Sequence, residues 1–241
     1  MTRQLEAWQG ESGTAYTERN VIDWRIRLPA FRQMLEGLPI LRVLEVGCNR
    51  GHNLLALAEI VGQVPERSGV DSHATSEIVG IDPNRHALEA ARAASPPWTA
   101  RPHRFATGTG VSHRQGRRPD GPQGRLVAAL QGHALEIPFK DGYFDLAFTA
   151  GVLIHIPVTD LPLALTEICR VSRRYVLAIE YFSEEETVIP YRGHTDLLWK
   201  RNFLEHYRAH CPELALNRSG YWGPESGFDQ THWWLLEKGR D

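Results

Sequence analysis

The fold of this chain is decided by the stretch Leu41-Arg42-Val43-Leu44-Glu45-Val46-Gly47-Cys48-Asn49-Arg50-Gly51-His52-Asn53-Leu54-Leu55. An apolar run ends beside an acid, small and polar residues follow, and leucines at helical spacing then begin. This order is typical of a β-strand, a tight turn and an α-helix. Ligands of open α/β sheets bind at the carboxyl ends of the strands, so we expect a site around Glu45.

The turn after this strand places Gly47, Asn49 and Gly51 at every second position. Glycine lets the backbone approach a ligand closely, and asparagine tolerates a left-handed backbone better than most residues. The pattern is not the G-x-G-x-x-G fingerprint that cradles a pyrophosphate, so a nicotinamide oxidoreductase is the least favoured class of enzyme.

Composition excludes several other classes of protein. The chain has 241 residues, of which 42% are hydrophobic, and this length suits one α/β domain over 1–241. The net charge of -2 gives no basic field for nucleic acid, and no apolar run approaches the length of a membrane span. Three dispersed cysteines, without a C-x-x-C pair, indicate reduced thiols and a cytoplasmic location. The eleven histidines show no ligand spacing, so we predict no metal site.

Strands and helices alternate along the rest of the chain. This alternation predicts an α/β fold with a mostly parallel, twisted sheet of about seven strands, helices on both faces and an antiparallel pair of strands at the C-terminus. The predicted strands are 41–46, 77–82, 126–130, 143–149, 175–181, 214–221 and 228–238; the predicted helices are 21–37 (interrupted at Pro29), 54–61, 84–94, 159–171 and about 197–210. Residues 1–38 precede the first strand as an N-terminal lid and helix, whereas 62–76 and 95–125 have no clear period and are interpreted as insertions. The second insertion is rich in Arg and His, which suit either an anion or a solvated loop.

Further candidate ligand-binding residues follow the later strands. Asp82 ends the second predicted strand, where a carboxylate accepts hydrogen bonds from a ribose diol or caps the helix that begins near Asn84. After the fourth predicted strand, residues 149–157 include Ala150 and His155. The imidazole of His155 is either a general base or a buried side chain that holds the neighbouring loop.

Four motifs in this order resemble class I methyltransferases that use S-adenosyl-L-methionine (SAM). They are E-x-G-x-N-x-G from Glu45, the acid Asp82, residues 132–146 and residues 149–157. The resemblance implies a Rossmann-like fold, SAM as cofactor, and a third motif at the adenine edge, where His133 replaces the family's acid and the backbone of Ala134 is retained. The cofactor-binding residues so implied are Glu45, Gly47, Asn49, Gly51, Asp82, Asn84, His133, Ala134, Ala150 and Arg19.

A narrower resemblance is to the pseudaminic acid biosynthesis-associated methylases. It is carried by Trp8-x-Gly10-x-x-Gly13-x-x-Tyr16-x-x-Arg19-Asn20, by 151–156, by 173–175 with 180–181, and by 190–193. We expect Tyr16 and Arg19 to form a lid, with Arg19 or a backbone amide near the carboxylate of the cofactor. His155, Tyr16 and Tyr181 are the candidate catalytic residues, and Tyr191 and Arg192 are expected to bind the substrate.

Three functions are consistent with these motifs. The first is in-line methyl transfer to a small molecule, either sugar-derived or an intermediate of natural-product biosynthesis. The second is a cyclase of the azetidine-2-carboxylate synthase type, in which SAM is the sole substrate and methylthioadenosine is released. The third is a non-catalytic SAM-binding module. The predicted partner is a small molecule, with no nucleic acid and no membrane, and nothing in the sequence indicates the oligomeric state.

Overall fold

The computed structural model describes residues 2–61, 76–94, 125–193, 195 and 197–239. The two predicted insertions lie outside the described residues, except for Ser76 and Arg125, each of which begins a strand. None of the helices in these ranges is long and apolar enough to cross a membrane.

A seven-stranded sheet forms the centre of the molecule. Its strands are β1 (Arg42–Val46), β2 (Ser76–Asp82), β3 (Arg125–Gln131), β4 (Phe144–Ala150), β5 (Ser172–Glu180), β8 (Leu214–Trp222) and β9 (Thr231–Lys238). The spatial order is β3-β2-β1-β4-β5-β9-β8, in which the first five strands are parallel and β9 runs antiparallel to both of its neighbours. The predicted sheet and its antiparallel C-terminal pair are therefore confirmed.

Helices cover both faces of this sheet. They are α1 (Arg3–Gln9), α2 (Glu11–Arg19), α3 (Leu28–Met34), α4 (His52–Ala58), α5 (Arg85–Ala94), α6 (Leu161–Val171) and α7 (Phe203–His210). Successive side chains of β1 point to opposite faces. Val43 joins the core under α3, α4 and α5, whereas Leu44 joins the core under α6 and α7. Both side chains are fully buried, which explains why these strands read as continuous apolar runs.

Two of the predicted helices differ from the observed ones. Pro29 does not interrupt a helix, because it lies in the first turn of α3, where its missing N–H is not needed. The helix predicted from about 197 begins only at Phe203, where the side chain of Asn202 accepts a hydrogen bond from the Glu205 N–H. Residues just before it form β7 (Trp199–Lys200), which pairs with β6 (Thr187–Val188); neither strand was predicted from the sequence.

Candidate active site

A cavity of about 540 Å³ lies at the carboxyl ends of β1, β2, β4 and β5, beneath α1 and α2. Its size is within the range of small-molecule sites. Fourteen of the predicted site residues line it: Tyr16, Arg19, Glu45, Gly47, Asn49, Asp82, Asn84, His133, Ala134, Ala150, His155, Tyr181, Tyr191 and Arg192. Among the described residues, no group of three or more His, Cys, Asp or Glu is placed to hold a metal ion.

Gly51 is the predicted cofactor-binding residue that does not line the cavity. It precedes α4 with φ of 74°, and a Cβ at this position would lie 3.3 Å from the Cβ of Ala91 on α5. The residue therefore lets the chain turn into α4 while that helix packs closely on α5. Its contribution to the site is indirect, through the shape of the turn.

The turn after β1 is left-handed at alternate positions. Gly47 has φ of 79° and Asn49 has φ of 43°, so asparagine does adopt the left-handed conformation that the sequence led us to expect. A Cβ on Gly47 would lie 2.4 Å from Cγ2 of Val152, in the loop after β4. Glycine is thus required here both by the backbone angle and by the close approach of the two loops.

Asp82 closes the neighbouring strand and organises this turn. Its Oδ2 accepts a hydrogen bond from the backbone N–H of Asn49, and its Oδ1 accepts one from that of Asn84, each at 2.8 Å. Burial raises the pKa of Asp82 to about 6, although these two hydrogen bonds favour the charged form. The cap of α5 is provided by Asn84, whose Oδ1 accepts from the N–H of Ala87 at 3.0 Å.

Glu45 is buried at the end of β1. Its Oε1 accepts a hydrogen bond of 2.6 Å from Nδ2 of Asn53, and Oδ1 of Asn53 accepts one of 2.7 Å from Nη1 of Arg27. The Nε of Arg27 also donates to the carbonyl oxygen of Gly227. Burial raises the pKa of Glu45 to about 8, against the opposing influences of Asn53 and Arg27. A guanidinium therefore stands beside the glycine turn, contributed by a residue that the sequence did not single out.

Five buried polar atoms of residues in the cavity wall have no hydrogen-bond partner within the described part of the chain: Nε1 of Trp8, Oε2 of Glu45, Nδ2 of Asn49, Nδ1 of His133 and Oγ1 of Thr231. Buried donors and acceptors are nearly always paired in folded proteins. Their concentration around one cavity indicates that the cavity receives a polar ligand. The five atoms include the N–H donors of Trp8 and Asn49 as well as a hydroxyl and a carboxyl oxygen, so the ligand must offer both donors and acceptors.

Helices α1 and α2 are docked on the glycine turn. The hydroxyl of Thr17 lies 2.8 Å from Oδ1 of Asn49, and Arg50 donates to the carbonyl oxygen of Thr17. Nδ2 of Asn84 lies 3.1 Å from the carbonyl oxygens of both Trp8 and Gly10. The sequence predicted that residues 1–20 cross the surface or fold over the site, but it did not predict that they are helical.

His155 lies in a short helical turn after β4. Its Nδ1 lies 2.5 Å from the carbonyl oxygen of Leu197, so this nitrogen carries the hydrogen and Nε2 is left with its lone pair. Its ring packs between those of Trp8 and Tyr191, at centroid distances of 4.3 and 5.6 Å. Burial lowers the pKa of His155 to about 4. The imidazole is therefore neutral at physiological pH.

Two charged residues clamp the turn that carries His155. The carboxylate of Glu180, fully buried at the end of β5, accepts hydrogen bonds from the N–H groups of Val152 and Leu153 at 3.2 Å. On the opposite side, Nη1 of the buried Arg201 donates to the carbonyl oxygen of Ile156 at 2.8 Å. Burial raises the pKa of Glu180 to about 7. The position of His155 is thus held through the backbone of its neighbours as well as through its own ring.

Tyrosines complete the wall on the same side as His155. The hydroxyl of Tyr181 donates to Oδ2 of Asp229 at 2.6 Å, which together with burial raises the pKa of Tyr181. Tyr16 packs edge-on against Trp8 at a centroid distance of 5.6 Å, and burial raises the pKa of Tyr16. Both phenols are therefore protonated at neutral pH.

Comparison with known proteins gives the family. Residues 44–179 match the model of the methyltransferase domain family, which is more than half of the chain. The chain belongs to this family. It is thus a SAM-dependent transferase with SAM as its cofactor, as the motifs predicted. No curated protein is significantly similar to it.

Solved structures share the fold at low sequence identity. Magnesium protoporphyrin IX methyltransferase from Synechocystis PCC 6803, crystallised with bound SAH, has a TM-score of 0.61 at 12% identity, with 97% of each chain covered. A SAM-dependent methyltransferase from Aquifex aeolicus has a TM-score of 0.58 at 15% identity, covering 94% of this chain and 98% of that one. A putative methyltransferase in complex with the Trm112 activator from Haloferax volcanii has a TM-score of 0.60 at 14% identity, covering 99% and 97%.

Proposed function

We propose that this protein transfers a methyl group from SAM, in line, to a small-molecule acceptor. The observation that supports this most directly is one cavity that holds both the predicted cofactor residues and a neutral imidazole with a free nitrogen. SAM supplies an electrophilic methyl group when it is bound. The chain must then orient both ligands, exclude water and, for some acceptors, remove a proton.

The residues in the cavity fit the groups of SAM. In the proposal, the Asp82 carboxylate accepts hydrogen bonds from the ribose diol. Nδ1 of His133 and the backbone of Ala134 are proposed to contact the adenine ring. The unpaired Oε2 of Glu45 suits the cofactor's ammonium, whose positive charge favours the ionised carboxylate over the protonated form that burial produces in the free protein, and Arg27 suits the cofactor's carboxylate. Arg27 therefore takes the role that the sequence suggested for Arg19.

His155 is the proposed general base. Its Nδ1–H is held by Leu197, so Nε2 is the nitrogen that accepts a proton. Tyr16 and Tyr181 are proposed to act with it through their aromatic faces, because an aromatic ring stabilises a nearby cation by about 0.5–2 kcal/mol. Tyr191 and Arg192 are proposed to contact the acceptor.

A cyclase remains the second candidate function. The ring cluster of Trp8, Tyr16, His155 and Tyr191 encloses the cavity on one side, which is the feature expected of an enzyme that needs no acceptor. A non-catalytic SAM-binding module is the third candidate; its signature would be tight binding of SAM without any product.

Mass spectrometry of the released nucleoside separates these functions. We expect the protein with SAM alone to form little product, and a panel of small acceptors to yield S-adenosylhomocysteine together with a methylated acceptor. Methylthioadenosine from SAM alone, lost in His155→Asn, would instead establish the cyclase and overturn methyl transfer. Binding of SAM without product from the whole panel would support the non-catalytic module.

The finer substrate class is also a proposal. The segments 8–20, 151–156 and 190–193, which resemble the pseudaminic acid-associated methylases, all contribute residues to the cavity. This supports a sugar-derived or biosynthetic small molecule as acceptor. The three cysteines are free thiols, which supports the proposed cytoplasmic location.

A further inference from the structure

We propose that the acceptor carries a carboxylate, and that Arg19 and Arg192 bind this group at the rim of the cavity. The inference rests on the proposed methyl transfer and names the chemical class of the second substrate. It begins from two cationic side chains that converge on one tyrosine.

The two guanidinium groups come from distant parts of the chain. Nη2 of Arg19, at the end of α2, lies 3.4 Å from Oη of Tyr191. Cζ of Arg192 lies 5.9 Å from the centroid of the same ring. Both arginines are exposed, and both line the cavity. The sequence separation of 172 residues between Arg19 and Tyr191 shows that this convergence is a product of the fold.

Neither guanidinium has a carboxylate partner among the described residues. Arg170, Arg174 and Arg201, by contrast, each form an ion pair at 2.6–2.7 Å. Glu45, Asp82, Asp160 and Asp229 also line the cavity, but none of these carboxyl groups forms an ion pair with Arg19 or Arg192 among the described residues. Two like charges that face the same space repel each other, and an anion placed between them removes that repulsion. A planar guanidinium matches a carboxylate in a bidentate arrangement.

The backbone at Arg192 provides an independent indication. Arg192 has φ of 50°, and the following Gly193 has φ of 83°. A left-handed backbone is uncommon for residues with a side chain, and such residues cluster at ligand-binding sites. Glycine at 192 would relieve the backbone but would remove the guanidinium. The chain therefore keeps an arginine where the backbone alone favours glycine.

The position of the pair separates it from the cofactor's carboxylate. Arg27 is hydrogen-bonded to Asn53 beside the glycine turn, where the amino-acid end of the cofactor is proposed to bind. Arg19 and Arg192 instead share Tyr191, whose ring packs on that of His155. An anion on this pair lies on the side of the proposed base. This is the side from which an acceptor is deprotonated.

Malonate and its neutral analogue malonamide are suitable probes. Calorimetric titration of each into the protein saturated with S-adenosylhomocysteine is expected to show binding of malonate and not of malonamide. In Arg19→Gln and Arg192→Gln, malonate affinity is expected to fall at least tenfold, while S-adenosylhomocysteine affinity stays within about twofold. Arg208→Gln is the matched control, because Arg208 pairs with Glu205 on α7 and does not line the cavity.

Two further arms keep the outcome decisive. Arg192→Lys retains the charge but not the bidentate geometry, and is expected to bind malonate with intermediate affinity. Repeating the titration with methylthioadenosine, which lacks the amino-acid end, identifies the source of the anion. Malonate binding that appears with methylthioadenosine and vanishes with S-adenosylhomocysteine would assign the pair to the cofactor and overturn the inference.

Equal malonate affinities in Arg192→Gln and Arg208→Gln would also overturn the inference. Failure of the wild-type protein to bind S-adenosylhomocysteine would overturn the proposed function instead. Malonate titrated into the free protein would then still report on the arginine pair, so the two failures are distinguishable.

Discussion

Nδ1 of His155 and the carbonyl oxygen of Leu197 lie 2.5 Å apart, an arrangement that leaves the lone pair of a buried ring on Nε2. We predict that His155→Asn lowers kcat by about 10²–10⁴-fold, the usual contribution of a general base, while SAM affinity is unchanged. The asparagine side chain still offers an N–H toward Leu197. Turnover with the acceptor identified in the panel, together with calorimetry of SAM, measures both quantities.

The proposed role of His155 also predicts how turnover of the wild-type protein depends on pH. Because burial lowers the pKa of His155 to about 4, the imidazole stays unprotonated well below its usual range. The acid limb of kcat/KM, which reports the free enzyme, is therefore expected near pH 4 and not near 6.5 in the wild-type protein. An unchanged kcat in His155→Asn would show that this ring is structural only.

The Asp82 carboxylate is predicted to carry a large share of cofactor affinity. Asp82→Asn replaces a charged acceptor of the ribose hydroxyls, and a hydrogen bond to a charged group contributes about 1.5–3 kcal/mol, so SAM is expected to bind about 10–100-fold more weakly. Asp141→Asn removes the same charge at an exposed position that pairs with Arg170. Equal SAM affinities in the two variants would refute the assignment of Asp82.

The contact between Thr17 and Asn49 is predicted to hold α2 over the bound cofactor. In Thr17→Val, the loss of a hydrogen bond worth about 1 kcal/mol should weaken SAM binding about fivefold. Thr166→Val is a close control: both threonine hydroxyl oxygens lie 2.9 Å from the carbonyl oxygen four residues earlier, but only that of Thr17 is also within hydrogen-bond distance of Asn49 in the glycine turn. If Thr166→Val weakens SAM binding as much as Thr17→Val, the lid does not act through this contact.

Stability of the cofactor-free protein is predicted to fall between about pH 6.5 and 8. Burial raises the pKa of Glu45 from 4.5 to about 8, so the native state binds a proton that the unfolded state has already lost. Each such group lowers the free energy of unfolding by up to about 1.4 kcal/mol per pH unit in that window. Glu180, with a pKa raised to about 7, acts in the same direction over the lower part.

Urea denaturation at several pH values tests this assignment. The wild-type protein should lose about 1–2 kcal/mol across the window, and Glu45→Gln should lose markedly less, because the amide does not titrate. His52 and His155 oppose this slope near pH 6.5, because burial holds the pKa of each at about 4 in the native state while their unfolded side chains still lose protons there. The wild type and Glu45→Gln share this contribution, so the difference between their slopes reports on Glu45. A slope in Glu45→Gln equal to that of the wild type would place the titration elsewhere.

The sheet was predictable from the sequence because each parallel strand is buried on both faces. Val43 and Leu44 have to be apolar although they point in opposite directions, so the strand stands out as a continuous run. The glycine turn was equally predictable from the sequence, since few residue types adopt the left-handed backbone conformation found at positions 47 and 49. The residues that follow the carboxyl ends of these strands could then be predicted to form most of the cavity wall.

Long-range polar contacts were beyond the reach of local patterns. Arg27 reaches Asn53 across 26 residues, and Arg201 reaches Ile156 across 45, and neither belongs to a recognisable motif. Helix α1 was missed because none of its residues is buried, so it lacks an apolar stripe. One usable signal was Thr2, whose side chain accepts from the N–H of Leu5 and caps that helix.

Helix α2 faces both proposed ligands within three residues, since Thr17 contacts the glycine turn and Arg19 contacts Tyr191. Both residues lie in the last turn of α2, so a contact that fixes Thr17 also positions Arg19. When SAM binds beside the glycine turn, it therefore also positions Arg19 before the second substrate binds. The consequence is kinetic: SAM should add first in the preferred order, and malonate should compete with the acceptor and bind more tightly to the SAM complex than to the free protein.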